Sequence, residues 1–288
     1  MRTTNILFCM LLLLCCTEVA AQINLFGFSN TRKVEGNCKY VTKEIRLSEF
    51  NNLSVSGNLS VCFTQHEGKA QVKLYCSENI ADLVEIYVEN NTLKAKVKKG
   101  YNIVDRALEI RVTAPQLNSV SVSGSGDVRF ANDVNNKRIT LTVSGSGNIE
   151  ANQLQCEKLY TQISGSGDVT IKQISTQESN FSISGSGDMN ALHMTTNNAI
   201  FNISGSGEMR VAGSAEKASF NIAGSGEMDA REFVAKRVNC SVSGSGDIRC
   251  HATKYLKVSI AGSGNVGYKG SPEELYIPKK NEIGRAHV

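Results

Sequence analysis

The amino-acid sequence predicts an all-β protein in which most of the chain coils into a parallel β-solenoid with turns of about 20 residues. Three observations predict this fold: Gly-Ser-Gly recurs eight times, the residues before each copy alternate between apolar and polar, and a second alternating segment follows each copy. Alternation with period two is typical of strands with one buried face. The chain has 288 residues, of which 41% are hydrophobic, so it can build a buried core.

The copies of Gly-Ser-Gly are 18 to 21 residues apart, and this spacing defines one turn. We assign the first glycine of each copy to the corner between two strands, where backbone angles or close approaches exclude a Cβ atom. The residue two positions before this glycine is always Val or Ile, which predicts a column of side chains facing a core. The corner glycines are Gly124, Gly145, Gly165, Gly185, Gly205, Gly224, Gly244 and Gly262.

A second strand follows each corner, with apolar residues four and six positions after the glycine, as in Val169 and Ile171. A looser third inward position lies nine after it, so we expect about five buried residues per turn. One such turn cannot make a core alone, but stacked turns can, at a spacing of about 4.8 Å. A β-propeller needs about 40 residues per blade and is therefore excluded.

The first 21 residues read as a cleavable export signal: Arg2, an apolar run over residues 6–16, and small residues just before Gln22. A membrane span would need about 20 apolar residues, more than this run supplies. A lipoprotein modified at Cys15 or Cys16 is the alternative, although the residue before such a cysteine is normally small. We expect an exported protein of the periplasm, the outer-membrane surface or the cell exterior.

The rest of the chain divides into three parts. Residues 22–118 are predicted to form an irregular N-terminal β portion continuous with the solenoid, residues 119–270 the repeats, and residues 271–288 a tail. Residues 77–85 have the capping residue and apolar spacing of a short helix, which we expect to cover an open end of the solenoid. The last seven residues resemble the translation of a sequencing-adapter oligonucleotide, so we expect them to be non-native.

The cysteines allow two interpretations. Export permits disulfides, and a Cys62–Cys76 or a Cys240–Cys250 bridge is one interpretation. The other interpretation is burial as small hydrophobic side chains in strands. The cysteines that remain after removal of the signal are Cys38, Cys62, Cys76, Cys156, Cys240 and Cys250.

A column of acidic and amide residues lies three positions after each corner glycine, and it is the candidate binding site. In the structural interpretation, Asp and Asn favour turns because they bond to nearby backbone amides. In the functional interpretation, the ladder collects cations or contacts a ligand. The acidic members are Asp127, Asp168, Asp188, Glu208, Glu227 and Asp247, and Asn148 and Asn265 complete the column.

Several function classes are disfavoured. A net charge of +4 without basic runs interleaved with aromatics does not indicate a nucleic-acid partner. The column does not match the nine-residue calcium repeat or an EF-hand loop. A catalytic centre needs groups that differ from their neighbours, whereas each turn repeats the same one, and no catalytic motif occurs. We therefore predict no catalytic residue, no metal and no cofactor.

Residues 54–61 (Ser-Val-Ser-Gly-Asn-Leu-Ser-Val) and the repeated Val/Ile-Ser-Gly-Ser-Gly-Asp-Val resemble the auto-transporter adhesin, head GIN domain family of exported bacterial proteins. The resemblance spans roughly residues 40–270. It implies a right-handed β-helix, similar in shape to pectin-lyase-like proteins but without their catalytic residues, and an adhesion role. We expect a non-catalytic module that binds a glycan or a surface protein; a polysaccharide lyase or hydrolase and a rigid spacer are the alternatives.

Overall fold

The computed structural model of the protein describes residues 31–277 and the backbone of residues 285–287. The predicted signal, residues 1–21, and most of the predicted tail after residue 277 lie outside the described residues. Almost all described elements are strands, which confirms the predicted all-β solenoid. No helix in the described part of the chain is long and apolar enough to cross a membrane.

The N-terminal portion contains short strands. They are β1 (Arg32–Glu35), β2 (Tyr40–Ile45), β3 (Asn52–Gly57), β4 (Ser60–Gln65), β5 (Gln71–Ser77), β6 (Val84–Glu89), β7 (Thr92–Val97), β8 (Tyr101–Val104) and β9 (Glu109–Ala114). The helix predicted in residues 77–85 is only a 3-10 turn over Ala81–Leu83. Ser77 does not cap it, because this residue ends β5 and the N-cap position of the turn is Ile80, which makes no side-chain cap bond.

The rest of the chain contains the repeat strands, six of which run through nearly a whole turn. They are β10 (Ser119–Gly124), β11 (Asp127–Phe130), β12 (Val134–Gly145), β13 (Asn148–Gly165), β14 (Val169–Gly185), β15 (Asp188–Gly205), β16 (Glu208–Gly224), β17 (Glu227–Gly244), β18 (Asp247–Gly262), β19 (Asn265–Lys269), β20 (Glu274–Tyr276) and β21 (Arg285–His287). From β10 to β19 each turn pairs in parallel with the next, corner glycine opposite corner glycine up to Gly262.

Each turn has three sides, and β14 shows how the sequence makes them. Alternating burial places Val169 and Ile171 inside, and two consecutive outward residues then reset the alternation for the next side. Seven side chains of this turn are buried, whereas the sequence predicted about five per turn. The two extra inward positions were missed because their columns are mixed: Ser179 stacks on Leu159, and Thr176 on Cys156.

The core consists of ladders of like side chains. Phe181, Phe201 and Phe220 stack in successive turns with ring centroids 5.2 Å apart. Phe233 packs edge-on against Phe201 and Phe220. It pairs with Gly213 of the preceding turn, whose missing side chain leaves room in that column for the large ring. Where the residue size changes along this column, the register therefore places a small residue next to a large one.

The N-terminal portion begins the solenoid and also closes its first end. Strands β3 and β4 pair in parallel with β10 and β11, so Gly57 lies opposite Gly124. On their other edge, β7 and β9 add one more parallel layer. The direction changes beyond that layer, because β5 runs antiparallel to both β2 and β9, and β6 runs antiparallel to β7. This arrangement ends the parallel stacking that an exposed strand edge would otherwise extend to another chain.

Candidate binding faces

The three sides of each turn carry different outward side chains. In the β14 turn, the first side spans residues 168–172, just after the corner, the second spans residues 173–177, and the third spans residues 178–184, just before the next corner. The turns keep their register from the third side across the corner into the start of the first side, so outward positions there repeat as columns along the solenoid. From β15 to β18 the register shifts where the first side passes into the second.

The acidic column lies on the first side, next to the corner. Its Asp and Asn members accept hydrogen bonds from the backbone N–H of the same position one turn later: Asp188 N–H donates to Asp168 Oδ1 at 3.0 Å. The same contact joins Asn148 to Asp127, Asp168 to Asn148, Glu208 to Asp188, and Asn265 to Asp247. One side-chain oxygen of each of these residues, from a carboxylate or from the amide of Asn148, therefore holds adjacent turns together.

The two glutamates of this column behave differently, because their longer side chains extend away from the backbone. Glu208 forms an ion pair with Arg210 at 2.8 Å, and Glu227 pairs with Arg249. The backbone N–H groups that follow them, those of Glu227 and Asp247, donate instead to the carbonyl groups of Gly207 and Gly226.

The third side carries a surface that the sequence reasoning did not single out, here called the neutral face. It comprises the outward residues five, three and one positions before each corner glycine and the serine after it. Of these 32 positions, 31 are uncharged, and Lys257 is the exception. Ser, Thr, Asn and Gln predominate, and Asn221 Nδ2 donates to Asn202 Oδ1 at 3.0 Å between turns. In the sequence, the signal for this face was the set of polar residues that alternate with the inward positions before each corner.

The large exposed apolar side chains of this surface lie in one column. Tyr160, Ile200 and Tyr276 occupy the column five positions before the corner, with relative exposures of 38%, 42% and 55%. Tyr276 extends this column beyond Lys257, with which it pairs. The guanidinium of Arg138 lies 5.7 Å from the centroid of the Tyr160 ring.

Charged residues border the neutral face. The column seven positions before the corner contains ion pairs such as Lys158 with Glu178 at 2.7 Å, and the acidic column lies beyond the corner. At the N-terminal end, the face continues through Asn52, Ser54 and Ser56 and ends beside Lys94 and Lys96. Both lysines pair with glutamates of β6.

A shallow hollow of about 290 Å³ lies on the N-terminal portion, away from the repeated columns. Its two cations are neutralised locally, since Lys73 pairs with Glu44 at 3.0 Å and Arg111 with Glu109 at 2.6 Å. The hollow is lined by Cys62, Thr64, Gln71, Lys73, Arg111 and Thr113.

All six described cysteines are free thiols, and two of them depart from the burial prediction. Cys38 is exposed, and Cys62 is half-buried beside Arg129. Cys240 and Cys250 are buried with their sulfur atoms 3.6 Å apart. The hydrogen bond to Cys250 and burial raise the pKa of the Cys240 thiol well above its usual value. Burial and the carboxylate of Asp105 raise the pKa of Cys76 to about 11.

Among residues 31–277, no three His, Cys, Asp or Glu side chains cluster so that they could hold a metal ion. Sequence analysis predicted no catalytic residue. His66, His193 and His251 lie in separate parts of the fold: just after β4, within β15 and within β18.

These features define the class of protein: a β-solenoid that presents flat, repeated outer columns. The model for the family described as "Putative auto-transporter adhesin, head GIN domain" matches residues 49–213 and 169–272. The chain belongs to this family, as the resemblance in the sequence had indicated. Membership of an adhesin family indicates an exported or surface protein that binds a target.

Solved structures of similar proteins share the fold. A putative lipid binding protein from Parabacteroides distasonis is 26% identical with a TM-score of 0.70, and the match covers 89% of this chain and 100% of that one. A putative adhesin from Parabacteroides merdae is 23% identical with a TM-score of 0.68, covering 89% and 99%. Another from P. distasonis is 20% identical with a TM-score of 0.69, covering 89% and 100%. No curated protein matches the chain.

Proposed function

We propose that the protein is a non-catalytic adhesin module of the cell envelope that binds a glycan or a surface protein through the repeated outer faces of its solenoid. The observation that carries this proposal is the register of the turns, which repeats each outward side chain about every 4.8 Å over eight turns. Weak contacts that repeat along a rigid surface bind an extended target with an avidity that single contacts lack.

The acidic column is the contact site that the sequence predicts within these faces. Its outer oxygens can bind cations or basic groups while the inner ones hold the turns together. Changing Asp168, Asp188, Glu208 and Glu227 together to Asn or Gln removes four charges. It should leave the fold intact, because Asn148 already accepts the contact from the next turn.

The test is a binding screen of the mature wild-type chain against immobilised polysaccharides, surface proteins and lipid vesicles, with a sugar-release assay alongside. Binding without sugar release is the expected result. Release of sugar would replace the proposal with a lyase or hydrolase, and no binding at all would leave a rigid spacer.

The amide variant of the acidic column then locates the contact. Loss of binding, or of a calcium-induced rise in Tm, would assign the column to the binding site. Unchanged binding would make it a structural ladder and leave another face as the binding surface.

A further inference from the structure

We propose that the neutral face is the binding surface and that its ligand is an uncharged polysaccharide chain. This proposal rests on the proposed function, because it names the face and the ligand class of that same binding module.

The distribution of charge carries the first step. Across eight turns the neutral face has a single charged side chain, Lys257 at its C-terminal end, whereas charges lie in the columns on either side. A polyanion such as a uronic-acid polymer or an anionic membrane gains little from the face itself, whose one cation is Lys257, and the acidic column along one border repels it. The other border carries cations such as Arg138 and Lys158, so the test includes both kinds of polyanion. A neutral polymer meets neither repulsion nor the cost of desolvating unpaired charges.

The chemistry of the side chains carries the second step. Sugar rings present hydroxyl groups around their edges and C–H groups on their faces. The Ser, Thr, Asn and Gln columns offer both donors and acceptors for the hydroxyls. Tyr160, Ile200 and Tyr276 are the large exposed apolar groups on this mostly polar face, and they can pack against the C–H faces.

The composition of the face argues against a protein partner. Centres of protein interfaces are rich in aromatic and other apolar residues and depleted in Ser. Here serine is the commonest residue, and the large apolar side chains lie in a single column near one border rather than at the centre. A second copy of this chain would therefore bury a surface without an apolar core.

The dimensions also fit an extended chain. Seven residues span roughly 20 Å across the face, and eight turns extend it to roughly 34 Å along the solenoid. An oligosaccharide of several units can lie across these columns and contact equivalent groups in successive turns.

The experiment measures binding of the mature chain by affinity electrophoresis in gels containing a neutral β-glucan, a neutral mannan or polygalacturonate. Sedimentation with vesicles containing an anionic lipid is measured in parallel. We expect retardation by at least one neutral polymer, little by polygalacturonate and no sedimentation with vesicles.

Two variants of the neutral face are compared with matched controls on the second side. The double variant Ser164→Glu with Ser204→Glu places two charges two turns apart on the neutral face. Its control, Ser175→Glu with Ser214→Glu, places two charges two turns apart on the second side. The double variant Tyr160→Ala with Ile200→Ala removes two exposed apolar side chains from the neutral face. Its control, Val234→Ala, removes an apolar side chain of 39% relative exposure from the second side. Both face variants should weaken neutral-polymer binding roughly tenfold or more, while the controls leave it unchanged.

The outcomes separate this proposal from the proposed function. Binding that is confined to polygalacturonate or vesicles, or that falls in the controls but not in the face variants, would overturn the neutral face while leaving a binding module. A wild-type dimer in light scattering that the face variants dissociate would identify a second copy as the occupant and also overturn it. Failure of the wild type to bind any polysaccharide, protein or vesicle would remove the proposed function as well.

Discussion

The first turn of the solenoid and its central turns use the same corner glycine under different constraints. Gly57 has a φ of +89°, and a Cβ added there would meet only Val97 Cγ2 at 3.5 Å. Gly185 has a φ of +140°, and an added Cβ would lie 2.3 Å from the carbonyl oxygen of Gly165 in the preceding turn. Both corners need an unusual backbone angle, but only the stacked corner also excludes the Cβ by contact. Stacking, rather than the bend alone, therefore makes glycine necessary.

The acidic-column position also differs between the first turn and the later turns. In the first turn Ser60 occupies the acidic-column position, and the backbone N–H of Asp127 donates to the carbonyl of Leu59. From Asp127 onward, the Asp and Asn side chains supply the acceptors. The irregular N-terminal strands thus set the register that the later turns keep. The ladder of side-chain acceptors, in contrast, begins only with the repeats.

The largest expected effect is a charge in the core of the repeats. Ile203 is 1% exposed, so Ile203→Asp should prevent folding, at a cost above about 4 kcal/mol, because it buries an unpaired carboxylate. Ile86→Asp, in the antiparallel β6 and only partly buried, should still give folded protein with a lower Tm. Circular dichroism and the soluble yield measure both, with the outward Asn202→Asp as control. Well-folded Ile203→Asp protein would contradict the assigned columns.

The glycine pair gives an intermediate effect and tests the comparison directly. Gly57→Ala should cost about 1 to 2 kcal/mol, since only the backbone angle is strained. Gly185→Ala should cost about 3 kcal/mol or more, because the stacked carbonyl must also move. Urea unfolding of the two variants measures the difference. Equal costs would mean that the bend alone selects glycine at these corners.

The sequence predicted the repeat, the corner glycines and the strongest inward columns because like residues recur at fixed spacing. It did not predict the inward positions of Thr176 and Ser179, one on the second side and one on the third, because both residues are buried although they are polar. The antiparallel pairing of β5 was also hidden, since alternation does not specify strand direction. The short helix was overpredicted, because Ser77 ends β5 instead of capping a helix.

For the candidate site, the sequence located the acidic column but could not show that its carboxylates accept backbone N–H groups from the next turn. The sequence predicted stacked turns and nearby backbone amides as partners, but not that the amide belongs to the next turn. In the sequence, the polar residues that form the neutral face appeared only as the outward members of alternating strands. Their common surface became apparent once the register placed them on one side of the solenoid.

The smallest expected effect concerns the side-chain ladder that distinguishes the repeats from the first turn. Asp168→Asn should change the free energy of unfolding by less than about 0.5 kcal/mol, because Asn148 already makes the same contact one turn earlier. Asp168→Ala removes the acceptor of the Asp188 N–H and should cost about 1 kcal/mol at most. The cost is limited because the N–H can turn to the glycine carbonyl of the preceding turn, as Glu227 N–H does beyond Glu208. Urea unfolding at two salt concentrations measures both variants. If Asp168→Asn proved as costly as Asp168→Ala, the negative charge rather than the acceptor geometry would stabilise the ladder.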